Sequence, residues 1–379
     1  TFGRGFYVLD DYGSLRDIAG GALTASQDGT LFPVRDAWWY VPFVPMQARG
    51  KPTLGSDDYT ALNPDFGAAF TYYLPETATT AREKRRETER VLREQGRDVP
   101  FPGYDVLRDE EVEGDPRLLV IVRDSQGQLV RWVEGPSRAG LHRVSWDLRY
   151  PPPDQSSSER SIRRAFPSIG VFVPPWVSPP QGPLAAPGVY SAELVLVSSA
   201  GVRSISSPQR FEVRPISNAP PGTDFQSVVA FQKEASELSR RVSEAGAELE
   251  RIVDRFRDMR AALTETPDAD PALFRRFDAF TERLQGLQIE LFGDRVRPRL
   301  NESSVPSIED RVNRVIQGHW DTRQTPTETH RRNLEIAEGE FGGLIRELRE
   351  LIDGELSDLE SDLEAAGALW ARGKQLPAG

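Results

Sequence analysis

Residues 228–263 read VVAFQKEASELSRRVSEAGAELERIVDRFRDMRAAL, and the fold class turns on this stretch. Its apolar side chains Phe231, Ala235, Leu238, Val242, Ala245, Leu249, Ile252, Phe256, Met259 and Leu263 recur alternately four and three residues apart. An α-helix turns once per about 3.6 residues, so this spacing collects them on one stripe and leaves Lys, Arg, Glu and Asp on the other side. A stripe of that length must be covered, either by other helices of the same chain or by a second copy in a coiled coil.

Partners in cis follow at once. Asp270-Pro271 is an N-cap with proline in the first helical position, and Leu273, Phe277, Phe280, Leu284, Leu287 and Leu291 continue at helical spacing behind it. Ser307 caps a third segment holding Ile308, Val312 and Val315. Thr325-Pro326-Thr327-Glu328 reads as a capping box that opens a fourth, with Leu334, Ala337, Phe341, Leu344, Leu348 and Leu351 as its stripe and Gly354 as a break point. Short linkers between amphipathic helices predict an antiparallel four-helix bundle over 222–372, with dimerisation through the long seam as the other way of covering it.

Upstream the period changes from helix to strand. GAAFTYYL (67–74), RLLVIVRD (117–124) and QLVRWVE (128–134) are strands, the last two joined through Ser125-Gln126-Gly127 as a hairpin. In AGLHRVSWDLRY (139–150), His142, Val144, Trp146 and Leu148 alternate with Arg143, Ser145, Asp147 and Arg149, the period of a half-buried strand. PGVYSAELVLVS (187–198) and RSISSPQRFEVRP (203–215) add two more, which predicts a small antiparallel β-sandwich over 41–216. Between them, charge-dominated residues 76–98 predict one solvated helix inserted into the β-domain. Residues 151–187, rich in Pro, Ser and Gly, predict a long irregular loop anchored by Phe172 and Trp176. The fold class expected is α+β with several domains.

Residues 1–40 open on a short strand around Phe6 and Val8 and an acidic turn at Asp10-Asp11. A lone strand needs a partner sheet. The chain starts Thr-Phe-Gly-Arg with neither Met nor signal peptide, so the expectation is a cut N-terminus with the partner sheet upstream.

Composition narrows the function classes. A net charge of -11 repels nucleic acid and anionic membranes on average. The absence of cysteine removes disulfides, thiolate nucleophiles and Cys-type zinc or iron–sulfur sites. No run approaches the roughly 18 apolar residues of a membrane-spanning helix. No Gly-x-Ser-x-Gly occurs, and no Gly-rich loop leads from strand to helix.

Taken in order, GRGFYVLDD, SLRD, LFPVRDAWWY, IVRDSQGQLVRW, AGLHRVSWDLRY and PGVYSAEL resemble the C-terminal region of bacterial sortilin-like proteins built on neuraminidase-repeat β-propellers, many loosely named glycosyl hydrolases. The likeness spans most of residues 1–350. It implies that residues 1–40 are a remnant of a β-propeller, its closing strand and linker. The hairpin, Trp-Asp strand and Pro-Gly-x-Tyr strand are also similar to the Ig-like module of flagellar hook-capping proteins. Asp124 and Gly127 then make the tight turn, Trp146 fills the core, and Gly188 lets the chain turn before Tyr190.

The resemblance implies an exported protein, periplasmic or extracellular, in which this chain is a non-catalytic accessory or interaction region. Its partners would be the upstream β-propeller in cis, a protein or carbohydrate ligand, and a second copy through the helices, with no nucleic acid. The alternative is a sialidase-like propeller glycoside hydrolase whose arginine cluster, tyrosine nucleophile and acid lie on the propeller. Only a damaged echo of the propeller repeat occurs here, Ser26-Gln27-Asp28-Gly29-Thr30, one residue short.

No catalytic, cofactor-binding or metal-binding residue is assigned. His142, His319 and His330 form no ligand pair at metal-binding spacing, although His319 and His330 bracket the linker between the third and fourth helices. Asp147 and Arg149 read as a surface ion pair. Trp38, Trp39, Tyr40 and Trp176 are the candidate surface: flat aromatic faces suit a sugar or peptide, or the junction with a neighbouring domain.

Overall fold

The computed structural model describes residues 11–24, 28–41, 63–153, 181–216, 223–267, 269–320, 322 and 324–368. The protein is mixed α and β with a long helical C-terminal region. Two compact units divide it, one drawn from Thr1–Pro151 and Leu184–Gly222, the other helical from Thr223 onward. The strand at Phe6 and Val8, the Ser26-Gln27 echo, and Phe172 and Trp176 lie outside the described residues.

In the first unit, β4 (Arg117–Asp124) is the centre, because β-branched and leucine side chains let it pair on both sides. It runs antiparallel to β5 (Leu129–Gly135) and β7 (Gly188–Ser198), and β7 carries β8 (Gly201–Ser204) and β9 (Gln209–Pro215). β2 (Ala37–Trp39) closes this sheet by pairing with β9 in parallel, so the sheet is not wholly antiparallel as the strand pattern predicts. A three-stranded sheet holds β1 (Thr30–Leu31), β3 (Ala68–Leu74) and β6 (Gly140–Trp146).

The two sheets meet through aromatic side chains. Phe70 of β3 and Trp146 of β6 contact Tyr190 of β7 and Phe211 of β9 edge to face, with ring centroids 5.3 to 6.4 Å apart. Each polar tip is satisfied: Trp146 Nε1 donates to Arg149 O at 2.9 Å and Tyr190 Oη to Ala186 O at 2.6 Å. Tyr72 Oη donates to Pro136 O, and burial pushes its hydroxyl up to about 12. At the β4–β5 turn, Asp124 Oδ1 accepts from the backbone N of Gln126 and Gln128 at 2.9 Å, while Gly127 takes a φ of 78°.

The strand predicted through Leu148 stops at Trp146. Leu148 is fully buried with a φ of 56°, a conformation that costs a side-chain-bearing residue about 1–2 kcal/mol. Its carbonyl accepts from Ala185 N at 2.7 Å, and Leu184 bridges Arg149. The end of the expected irregular loop, Leu184–Ala186, is therefore core.

Around the sheets the chain adds helices that sequence periodicity reads poorly. α1 (Gly13–Ala19) follows the acidic turn predicted at Asp10-Asp11, in a stretch with no predicted element. The charged insertion at 76–98 holds one helix, α2 (Ala81–Glu94), and a second, α3 (Tyr104–Val112), follows beyond it. Thr80 and Glu83 form a capping box at the start of α2. Arg85 clips the pair with a bidentate bond to Glu110, at 2.6 and 2.7 Å. Glu113 accepts from Ala81 N through both oxygens and from Ser199 Oγ of the β7–β8 turn at 2.6 Å, which ties the helices to the sheet.

The helical unit follows its stripes closely. α4 (Phe225–Thr264) begins at the Asp224 cap and buries all the predicted stripe positions from Phe231 to Leu263. α5 (Pro271–Phe292) starts at Asp270, whose side chain accepts from Ala272 N at 2.8 Å. α6 (Ile308–His319) has a Ser307–Asp310 capping box. α7 (Glu328–Glu350) is capped by Thr327, which accepts from His330 N, and not by the predicted Thr325 box. Gly354 lies in a π-helical turn, Leu351–Leu356, that runs on into α8 (Ser357–Ala365), so the helix is widened there and not broken.

All these helices share one apolar cluster. Phe256 stacks on Phe277 and Phe280, with centroids at 4.9 and 4.6 Å, and Gly246 faces the Phe292 ring, so α5 runs antiparallel to α4. Phe231 meets His319, which places α6 beyond α5 along the same rod. Arg241–Glu338 and Arg255–Glu360 set α7 and α8 parallel to α4. Arg276–Asp362 and Arg283–Glu355 set them antiparallel to α5. The described helices thus form three rods, one of them segmented between Phe292 and Ile308, and the uniform up-down alternation expected of four helices is absent.

Candidate functional site

Among the described strands β2 sits at the edge of the larger sheet, and its alternation decides what the aromatic segment presents. Ala37 and Trp39 point inward, buried to 4% and 2% exposure, and Trp38 points outward at 61%. Trp39 Nε1 donates to Ala185 O at 2.7 Å, and Ile216 N bonds Trp39 O. Trp39 is therefore a core side chain and faces no ligand. Tyr40 is half-buried and meets Phe66 edge to face at 4.8 Å.

Among the described candidates, Trp38 alone is an open indole. Across the parallel ladder lies Arg214, whose guanidinium bonds Asp36 and Glu212, both at 2.8 Å. Asp36 Oδ1 also accepts from Glu212 N at 3.0 Å. An exposed aromatic face bordered by a fixed Arg–Asp–Glu group suits a polar surface with an apolar anchor, a mixture typical of domain contacts. Trp176 lies outside the described residues, so the structure does not place it with the other three.

Sequence reasoning missed a second feature of this unit. Between α2 and α3 lies a cleft of about 420 Å³ lined by Arg82, Arg85, Arg86, Tyr104, Arg108 and Glu110. Phe101 and Tyr104 pack on each other there, exposed to 64% and 72%. The arginine spacing in AREKRRETER was visible, but only the second helix makes a cleft of it. Another cleft, about 400 Å³, is lined by Asp11, Tyr12, Arg16, Asp17, Phe32 and Arg35.

Asp147 and Arg149 are not a surface ion pair. Arg149 is buried, and Asp147 Oδ1 accepts from its backbone N at 3.1 Å in a local turn. In the helical unit, His319 and His330 come together with ring centroids 5.3 Å apart. Among the described residues no cluster of three His, Asp or Glu side chains suits a metal ion. No described helix is long and apolar enough to cross a membrane.

No family model matches the chain, and no curated protein does. Among solved structures, CopC from Methylosinus trichosporium OB3b is similar at 15% identity, over 27% of this chain and 67% of that chain, with a TM-score of 0.14. At that score the likeness carries no argument.

Proposed function

We propose that this chain is a non-catalytic accessory and interaction region of a larger exported sortilin-like propeller protein. Its two-sheet unit is an Ig-like sandwich that supports the propeller, and its helices are a bundle that extends that support. The observation that carries the reading is the fate of the motif residues. Asp124, Gly127, Trp146 and Tyr190 serve the turn and the inter-sheet core, whereas Trp38 alone among the described candidates is held outward, on the edge strand of the described sheet. Motifs spent on scaffold and a single anchored aromatic on the rim favour a docking module over a reaction centre.

Trp38, bordered by Arg214 and Asp36, is the contact this proposal assigns to the neighbouring propeller. The periplasm or cell exterior is the compartment it entails. The first test is the DNA upstream of the Thr1 codon, where a signal peptide and several propeller repeats are expected; their absence would sink the proposal. Given repeats, calorimetry between that upstream segment and this chain should give binding at least about tenfold weaker for Trp38→Ala, the loss of one buried aromatic anchor.

A further inference from the structure

At one end of the helical unit, the end of α6 rests against the start of α4 through a hydrogen-bond set that leaves no room for an extra proton. His319 is 2% exposed. Its Nε2 lies 3.0 Å from Gln324 O. A carbonyl only accepts, so Nε2 carries the hydrogen and Nδ1 is left as a lone pair. Gln232 Nε2 of α4 donates to that Nδ1 at 3.3 Å and to His319 O at 2.9 Å. Turning the Gln232 amide over would set its oxygen against the His319 carbonyl oxygen, so the amide is locked with its nitrogen toward the ring.

A second proton on His319 would therefore place N–H against N–H, in a buried site where the described residues offer it no acceptor. The neighbours add no compensation. The charged or titratable groups that face His319 among the described residues are His330 and Arg331 of α7, both of which repel a cation, and α4 contributes the Phe231 ring and the neutral Gln232. Asp321 and Arg323 lie outside the described residues. Trp320 Nε1 and His330 Nδ1 are buried here without a hydrogen-bond partner among the described residues.

We propose that Gln232 and His319 form a proton-sensitive latch: protonation of His319 unseats the end of α6 from α4 and loosens this end of the helical unit. The direction is set by linkage. Burial holds the His319 imidazolium below the ordinary 6.5, so the unfolded or opened chain binds the proton more readily. The latch is fully closed above about 6.5 and weakens as pH falls from there toward the lowered value. Glu290, raised by burial and by Glu347 and Glu340, has the opposite sign, so acid relieves repulsion there and does not mimic the latch.

The test uses imidazole NMR on the whole chain, whose three histidines give few signals. His319 should be the Nε2–H tautomer with a titration midpoint below 6.5. Amide exchange of residues 312–319, corrected for its intrinsic pH dependence, should accelerate by up to about tenfold per pH unit below 6.5. His319→Gln should abolish that acceleration and His330→Gln should leave it. A His319 midpoint at or above 6.5, or an unchanged acid acceleration in His319→Gln, overturns the latch. If His319→Gln does not fold, the wild-type titration decides alone.

Discussion

Neighbouring residues of this chain carry opposite roles, and substitution separates them. Trp39 fills the core and hydrogen-bonds Ala185, so Trp39→Ala should cost about 3–5 kcal/mol in urea unfolding. Trp38→Ala, one residue away and outward, should change stability by less than about 0.5 kcal/mol. Equal losses at the two positions would mean that Trp38 is buried in the folded chain. Leu148 offers a sharper test, because an alanine is normally better than a glycine. At a φ of 56° the order inverts: both variants lose the buried side chain, but Leu148→Gly also sheds the left-handed cost. It should unfold about 1 kcal/mol later than Leu148→Ala. The ordinary order would show that Leu148 does not hold this conformation in solution.

At the scale of elements, the α2–α3 pair hangs on Glu113. Hydrogen bonds from Ser199 Oγ and Ala81 N hold its carboxyl below the ordinary 4.5. A lowered carboxyl contributes stability above its unfolded value and loses it as pH falls through the folded one. Thermal melting of the wild type should therefore fall more steeply between pH 5 and pH 3 than that of Glu113→Gln, with the variant lower at pH 7. Parallel curves would mean that the tether contributes nothing. Glu87, Glu89 and Glu134 are held down by arginines in the same way and titrate alike in both proteins, so the difference reports Glu113 together with its repulsion from Glu110. The helix caps were legible as short motifs, because Asp270 and Ser307 need only the residues two or three places on. Thr325 was misread for Thr327 because both precede a run of helix formers, and only the observed bond to His330 N separates them.

For the whole molecule, the question is what covers the long seam of α4. Its stripe positions are buried among α5, α6, α7 and α8 of the same chain. Equilibrium sedimentation at low micromolar concentration should return one chain, 42.4 kDa. A dimer that Leu249→Ala dissolves would instead place the seam between copies. The segmented rod explains how four helices give parallel α4 and α7: α5 and α6 travel back together, so the fourth segment starts again beside the start of the first.

The sequence by itself determined whatever depends on neighbours a few residues apart. The stripe from Phe231 to Leu263, the Asp270 cap, the Asp124–Gly127 turn and the alternation from His142 to Trp146 follow from the fixed periods of helix and strand. Tertiary structure alone decided what depends on distant parts of the chain. Trp38 and Trp39 are equal in sequence, and only the parallel pairing with Arg214 and Pro215 turns one out and the other in. The arginines of α2 became a cleft because α3 folds beside them. His319 and Gln232, far apart in the chain, acquired a shared proton economy because two helix ends meet where no water-exposed carboxylate faces them among the described residues. Local periodicity is written in a single strip of sequence, whereas pairing across the fold depends on which strips the hydrophobic cores bring together.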